Sequence, residues 1–153
     1  LGGYWNIEGA ELRQAGKRPR TLPVDRAGVP AYNELVLVAR EKTLRSDGPM
    51  VRRFVQALQR GTAAARRSPA RATAAVRSAA PKTPARAAAR TVDETLPLLA
   101  GAANRPFGWM DPDRWQALSD WMVRNDLLKP GGRPLAALTN EFLPGEGVPP
   151  PGD

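Results

Sequence analysis

The spacing of hydrophobic and polar positions predicts helices over much of this chain. One apolar stripe recurs at helical intervals and consists of Met50, Val51, Phe54, Val55 and Leu58. Arginines and glutamines occupy the opposite face, so we expect an amphipathic helix that packs on one side and that Gly61 weakens or ends. A second apolar stripe contains Trp115, Leu118, Trp121 and Met122.

Helix boundaries are marked by residues that favour caps and first turns. Asp111 is followed by proline, which predicts a helix start, and Asn125 is suited to a left-handed turn at its end. Residues 6–14 read as a short helix with Asn6 as N-cap and Gly16 closing it. Further starts are predicted by Asp47-Gly48-Pro49, Ser68-Pro69 and Thr83-Pro84, and by the capping-box pair Thr91 and Glu94 for a helix near residues 92–103.

Strand signals are few and lie early in the chain. The run from Glu34 to Arg40 places five apolar residues between charged ends, which is typical of a strand buried on both faces. Residues 20–25 predict a short edge strand because of Pro23, and residues 27–33 predict a turn or crossover. A central strand needs neighbours, and the chain begins at Leu1 rather than Met. We therefore expect a segment of a longer protein whose remaining strands lie upstream.

Charge is distributed unevenly along the sequence. The formal net charge is +8, yet the stretch from Gly48 to Val92 has no acidic residue and ten basic ones. Two interpretations are open for this stretch: a solvated helical face rich in alanine and arginine, or a nucleic-acid-binding arm. A nucleic-acid role would use residues 78–86 above all, which have the alanine, proline and basic make-up of DNA-binding tails. We favour the solvated face, because residues 78–86 have no interleaved aromatic residue and the segment is bracketed by well-patterned helices.

The residue inventory restricts the possible chemistry. The chain contains no cysteine and no histidine. Disulfides, thiolate nucleophiles, soft-metal sites and histidine-based catalytic triads therefore cannot be built from this chain alone. No close pair of carboxylates stands out as a catalytic pair, and Asp111 with Asp113 reads as a helix cap and a first-turn acid. We expect no resident cofactor or metal, and no enzymatic activity.

Three ordered stretches resemble one family of proteins. They are residues 3–12, with Gly-Tyr-Trp-Asn-Ile-Glu-Gly and Glu-Leu; residues 25–37; and residues 115–128 followed by Thr-Asn-Glu-Phe-Leu at 139–143. In this order they resemble bacterial solute-binding proteins of ABC importers that capture thiamine-precursor pyrimidines, which are similar to fungal enzymes that make the thiamine pyrimidine. The resemblance extends over roughly residues 1–143.

This resemblance implies an α/β architecture, namely the C-terminal part of a two-lobed type II periplasmic-binding-protein fold that is mostly helical after the crossover strand. Residues 1–25 would end the second lobe, residues 26–34 would cross between lobes, residues 35–143 would complete the first lobe, and residues 144–153 would form a flexible tail. The implied function is capture of an aminopyrimidine in the cleft between lobes by hinge closure. The implied partner is an ABC-transporter permease, and the implied location is extracytoplasmic, with membrane contact only through the transporter or a lipid anchor.

Two alternatives accompany this interpretation. One is a synthase-like enzyme of thiamine biosynthesis, although the fungal enzymes carry a cysteine-rich stretch where this chain has Val29-Pro30-Ala31-Tyr32-Asn33. The other is a basic nucleic-acid-binding segment. We also expect this chain alone to bind its ligand poorly, since one half of a two-lobed grip would be absent.

The candidate ligand-binding residues are Tyr4, Trp5, Asn6, Glu8 and Tyr32. A flat amino-substituted ring needs an aromatic face to stack on and an acceptor for its amino hydrogens. We hypothesise that Trp5 or Tyr4 stacks on the ring, that Glu8 accepts from the exocyclic amine, and that Asn6 bonds a ring nitrogen. Tyr32 would close over the cleft or support the hinge.

Each of these residues also has a purely structural explanation. Trp5 would be a core residue, Asn6 a helix cap, and Glu8 a first-turn acid that complements the helix dipole. Trp115 and Trp121 share a helical stripe and are interpreted as core residues. The sequence leaves open the role of Trp109.

Overall fold

The computed structural model describes residues 3–99, 101 and 105–145. The chain divides into two compact units. The first unit comprises Leu1–Thr21 and Ala57–Gly101, and the second comprises Leu22–Gln56 and Ala102–Asp153. These divisions differ from the lobe boundaries expected at residues 25 and 34. The lobe assignment concerns a larger assembly and stays a prediction.

Regular structure in the described residues is helical. The α-helices are α1 (Glu8–Gln14), α2 (Glu41–Ser46), α3 (Gly48–Arg67), α4 (Pro69–Ala79), α5 (Ala85–Thr95) and α6 (Pro112–Arg124). Three short 3₁₀ turns cover Val24–Ala27, Leu96–Leu99 and Pro134–Ala137. None of the helices in the described ranges is both long enough and apolar enough to cross a bilayer.

Local end signals are confirmed at three helices. The carboxylate of Asp111 accepts from the backbone N–H of Asp113 at 3.0 Å and caps α6, and Asp47 accepts from Met50 at the start of α3. Gly16 has φ of 73° and ends α1. There the N–H groups of Gly16 and Lys17 bond to two carbonyls of the last turn, which is the Schellman arrangement.

Three boundary predictions were wrong. Helix α3 continues through Gly61 to Arg67, because the alanines and arginines that follow are strong helix formers. Helix α5 begins at Ala85, directly after the start predicted at Thr83-Pro84, and it contains Thr91, so no separate helix begins near Val92. The positive φ after α6 belongs to Asp126 at 58°, not to Asn125, whose side-chain amide donates instead to the carbonyl of Trp121.

The two predicted strands are not present in the structure. Residues 34–40 have no regular structure, and Leu35 and Val38 are 81% and 83% exposed. Residues 20–23 are irregular and lead into the 3₁₀ turn at Val24–Ala27. The physical reason is that a strand is held by hydrogen bonds to neighbouring strands, and the described residues supply none. The α/β fold class therefore stays a prediction.

The first unit is assembled from α1, α4 and α5, with the C-terminal part of α3. Helix α5 packs against both α1 and α4. The buried side chains of α1 and α5 are small: Ala10 of α1 is 4% exposed, Ala88 of α5 is 1% exposed, and Val92 of α5 is also buried. Alanine at buried positions lets packed helix backbones approach closely.

The second unit has a core of larger side chains. Val51 and Val55 from the N-terminal part of α3 pack with Leu143, and Leu44, Trp109 and Phe142 lie against this cluster. Arg52 stands over the Phe142 ring at 5.1 Å and donates to the carbonyl of Glu141. The apolar stripe predicted from the sequence is therefore partly confirmed, since its two valines are buried while Phe54 and Leu58 are exposed.

Residues 146–153 lie outside the described residues, and so does most of the predicted tail at 144–153. Leu1 and Gly2 lie outside the described residues as well, and so does the predicted helix end at residues 102–103.

Candidate functional site

Two aromatic side chains project from the turn that precedes α1. Tyr4 is 38% exposed and Trp5 is 43% exposed. The Tyr4 carbonyl accepts from the N–H groups of Ile7 and Gly9, at 3.0 and 3.3 Å, and these bonds close the turn. Trp5 is therefore not a core residue in this structure. Both rings are accessible to a flat ligand, as a stacking role requires.

Glu8 is the first residue of α1, and its side chain folds back over the turn. The Glu8 Oε2 atom accepts from the Tyr4 backbone N–H at 2.7 Å. This bond satisfies a backbone donor ahead of the helix, as the acidic member of a capping box does. Among the described residues, nothing donates to Glu8 Oε1, so one carboxylate oxygen next to Tyr4 is available as an acceptor.

Asn6 fixes the turn to the end of α5. Its side chain is buried at 8% exposure, and its Nδ2 donates to the Thr95 hydroxyl at 2.8 Å. The N-cap position of α1 is Ile7 and makes no side-chain capping bond, so the prediction of Asn6 as N-cap was wrong. The reason is non-local, because Asn6 is bound to the end of α5, 89 residues away in sequence.

A three-residue ionic cluster fixes α1 on α5. Arg13 of α1 and Arg90 of α5 both donate to the Glu94 carboxylate, at 2.5 and 3.0 Å. Partial burial alone would raise the pKa of Glu94, but the hydrogen bonds and positive charges of Arg90 and Arg13 outweigh it, and this pKa lies below its ordinary value of 4.5. Arg13 also donates to the Trp5 carbonyl at 3.4 Å.

This cluster was not predicted from the sequence. The only signal was the spacing of Arg90 and Glu94, four residues apart on one helix. Arg13 joins them only through the fold. Through Asn6 and the Trp5 carbonyl, the bonds to Thr95 and Arg13 hold the middle of the segment that carries Tyr4, Trp5 and Glu8.

Tyr32 belongs to the second unit, whereas the other four candidate residues belong to the first. Tyr32 is 38% exposed and lies in an irregular stretch that follows the turn at Gly28, whose φ is 96°. The predicted turn at residues 27–33 is thus confirmed. The role of Tyr32 as a ligand contact stays a prediction.

The remaining tryptophans lie in the second unit. Trp109 packs against the Val51, Val55 and Leu143 cluster, and Arg105 lies over its ring at 4.4 Å. The indole Nε1 of Trp115 donates to the Pro134 carbonyl at 2.8 Å. Beside this bond lies a shallow depression of about 430 Å³, lined by Gln116, Arg133, Pro134, Leu135 and Ala136.

No group of acidic side chains within residues 3–99, 101 and 105–145 has the arrangement of a metal site. The turn before α1 offers stacking and hydrogen bonding. It carries two exposed aromatic residues and, among the described residues, a carboxylate oxygen that accepts no bond, and its backbone is held through Asn6 and Arg13.

Comparison with known proteins gives one match. Residues 1–72 match the family described as NMT1/THI5 like. This family includes both substrate-binding proteins of ABC transporters and enzymes of thiamine-pyrimidine synthesis. No curated protein and no solved structure matches the chain.

The matched residues contain every candidate ligand-binding position, from Tyr4 to Tyr32. The match thereby supports the resemblance seen in the first two sequence stretches, at residues 3–12 and 25–37. It ends before the third stretch at residues 115–143, where the resemblance stays a prediction.

Proposed function

We propose that this chain is part of the solute-binding component of an ABC importer, and that it contacts a thiamine-precursor aminopyrimidine through the turn before α1. The observation that carries the proposal is the exposure of Tyr4 and Trp5 beside a carboxylate oxygen of Glu8, within the residues that match the family. The ABC-transporter permease is the proposed partner, and the proposed location is outside the cytoplasmic membrane.

The two carboxylate oxygens of Glu8 have different proposed roles. Oε2 is occupied by the Tyr4 N–H, and this bond holds the side chain in place. Oε1 is then the proposed acceptor for the exocyclic amine of the ring. A carboxylate is a stronger acceptor than a neutral amide, and hydrogen bonds to charged groups are worth about 1.5–3 kcal/mol.

The hydrogen bonds of Asn6 and Arg13 favour a binding site that is formed before the ligand arrives. Asn6 is bound to Thr95, and Arg13 is bound to both Trp5 and Glu94. Because these bonds fix the backbone of the turn, little ordering cost remains for ligand binding. Asn6 Nδ2 donates one of its two hydrogens to Thr95, and Asn6 is only 8% exposed, so we rank Glu8 and Trp5 above it as ligand contacts.

Exposed apolar residues at 35–38 support the proposed two-lobed α/β architecture. Leu35, Val36, Leu37 and Val38 are all exposed, and their backbone groups make no hydrogen bonds to described residues. A run of aliphatic and β-branched residues suits a strand whose faces are buried. We propose that strands outside this chain pair with it on both sides.

Binding, rather than catalysis, is the proposed activity. The chain has Val29-Pro30-Ala31-Tyr32-Asn33 where the fungal synthases carry a cysteine-rich stretch, and it contains no cysteine elsewhere. Stacking and a single charged acceptor are sufficient for recognition of a neutral ring.

The test is a titration of the chain with the hydroxymethyl aminopyrimidine half of thiamine, followed by the NMR signals of Trp5, Tyr4 and Glu8. We expect saturable shifts of these signals with a Kd of roughly 1 mM, which corresponds to about −4 kcal/mol, because only one side of the grip is present. Trp5→Ala should abolish the shifts. The matched control is Leu12→Ala, which truncates an exposed apolar side chain on α1 and should leave them unchanged.

Glu8→Gln tests the acceptor without disturbing the turn, since glutamine can still accept from the Tyr4 N–H. We expect at least a tenfold weaker Kd. An affinity within twofold of the unmodified chain would show that Glu8 has no such role. Shifts confined to residues elsewhere would refute the site as a whole, and a Kd of micromolar or better would contradict the two-lobed grip.

A further inference from the structure

The excess positive charge of this protein resides entirely in one unit. The first unit holds twelve basic and four acidic residues, whereas the second holds eleven of each. The net charge of +8 therefore belongs to the first unit, and it is concentrated in residues 60–86, which we call the basic segment. This segment runs from the end of α3 through α4 to the start of α5.

Seven basic side chains point into solvent along the basic segment. They are Arg60, Arg66, Arg67, Arg71, Arg77, Lys82 and Arg86, and all are exposed. Within the described part of the chain, none of them makes an ion pair or a side-chain hydrogen bond. The contrast is Arg90, just beyond the segment, which is paired with Glu94. Seven unpaired charges without a nearby acid repel one another, and an external polyanion would relieve this repulsion.

The other residues of the basic segment narrow the choice of polyanion. They include no aromatic residue, and Val76 is the largest apolar side chain among them. Helix α4 buries none of its residues. A helix that inserts into a lipid surface needs a large apolar face, and a binder of single strands needs aromatic rings for base stacking. The basic segment has neither, but it does have six guanidinium groups, which suit phosphate oxygens.

We propose that the basic segment binds the phosphate backbone of double-stranded nucleic acid without reading its sequence. Duplex DNA carries about one charge per 1.7 Å of axis, a dense array of phosphates for such a surface to contact. The proposal is independent of the proposed solute binding, because the basic segment shares no residue with the turn before α1. It reverses our expectation of a merely solvated face, on the ground that the seven charges are exposed and unpaired among the described residues.

The experiment measures fluorescence anisotropy of a labelled random-sequence duplex of about 30 base pairs, titrated with the full chain between about 50 and 200 mM salt. We expect binding that persists at about 150 mM salt, with a slope of log K against log salt of about −4 to −6, since each phosphate contact adds about −0.9.

The test variant combines Arg71→Gln, Arg77→Gln, Lys82→Gln and Arg86→Gln. It should bind at least tenfold more weakly at 150 mM salt, with a slope shallower by about 3. The matched control replaces three exposed arginines and one exposed lysine of the second unit, Arg26, Arg124, Arg133 and Lys129, by glutamine. Its net charge changes equally, and its binding should fall less than threefold. Thermal unfolding by circular dichroism verifies that both variants fold.

Three outcomes would overturn the proposal. The first is equal loss in the two variants, which would mean attraction by net charge alone. The second is no binding at 150 mM salt. The third is equal or tighter binding to vesicles of mixed zwitterionic and anionic phospholipids, or to a single strand of the same length, which would assign the surface to another polyanion.

Discussion

The two compact units differ both in how they bury apolar surface and in where they carry charge. The first unit buries alanines and one valine, holds α1 on α5 with ion pairs, and carries the whole net charge. The second unit packs valine, leucine, phenylalanine and tryptophan together and is electrically balanced. A unit with small core residues leaves more of its helices exposed, and in this chain the exposed helices carry the arginines. This difference predicts opposite responses to mutation.

The largest expected effect is removal of a core side chain from the second unit. Leu143 is 8% exposed and packs with Val51 and Val55. It also lies close to Gly108, since a Cβ atom added to that glycine would be 3.3 Å from the Leu143 Cδ2 atom. Leu143→Ala should lower the free energy of unfolding by about 2–4 kcal/mol, because it removes buried apolar surface and leaves a cavity. Urea denaturation measures the change. The control is Leu127→Ala at an exposed position, expected to cost less than about 0.5 kcal/mol.

In the first unit, the change that lowers stability should be the enlargement of a buried side chain rather than its truncation. Ala88 is 1% exposed on α5, the helix that packs against both α1 and α4. Ala88→Leu should destabilise the protein by about 1–3 kcal/mol, because a larger side chain at a buried position forces neighbouring groups apart. It should also weaken aminopyrimidine binding, since the turn that carries Trp5 is fixed to α5 through Asn6 and Arg13. Ala75→Leu, at an exposed position of α4, is the control. Equal stability of the two variants would refute close packing around Ala88.

The smallest expected effect concerns the ionic cluster of Arg13, Arg90 and Glu94. Because the pKa of Glu94 is lowered by Arg90 and Arg13, despite partial burial that acts in the opposite direction, its contribution to stability is complete above pH 4.5. The contribution should disappear as the pH falls below that value and Glu94 becomes protonated. Glu94→Gln should cost about 1 kcal/mol at pH 7 and nothing at the acid end of the titration. Glu41→Gln, in an exposed pair with Arg45, should be neutral at every pH. A penalty for Glu94→Gln that did not vary with pH would contradict the ionic origin.

Local signals in the sequence predicted much of the helical structure. Asp111 with Pro112 predicted the start of α6, and Gly16 predicted the end of α1, because caps depend on a few neighbouring residues. The apolar run at residues 34–40 failed as a strand for the opposite reason. A strand depends on partners far away in the chain or outside it, and periodicity carries no information about whether those partners are present.

The candidate site was predictable in composition but not in arrangement. The sequence placed Tyr4, Trp5 and Glu8 together at one turn, and the structure keeps them there. It did not indicate that Asn6 is buried against Thr95 or that Arg13 reaches Glu94, because both bonds join segments more than 80 residues apart. The two bonds that fix the turn could therefore be identified only from the three-dimensional structure.

The most direct test of the proposed solute binding is an NOE measurement between the ring protons of the hydroxymethyl aminopyrimidine and the side chains of the full chain. We predict NOEs to the indole of Trp5, with Tyr4 as the second contact, and their loss in Trp5→Ala. NOEs instead to Trp115, Pro134 or Leu135, around the depression in the second unit, would contradict this account and place the ligand elsewhere.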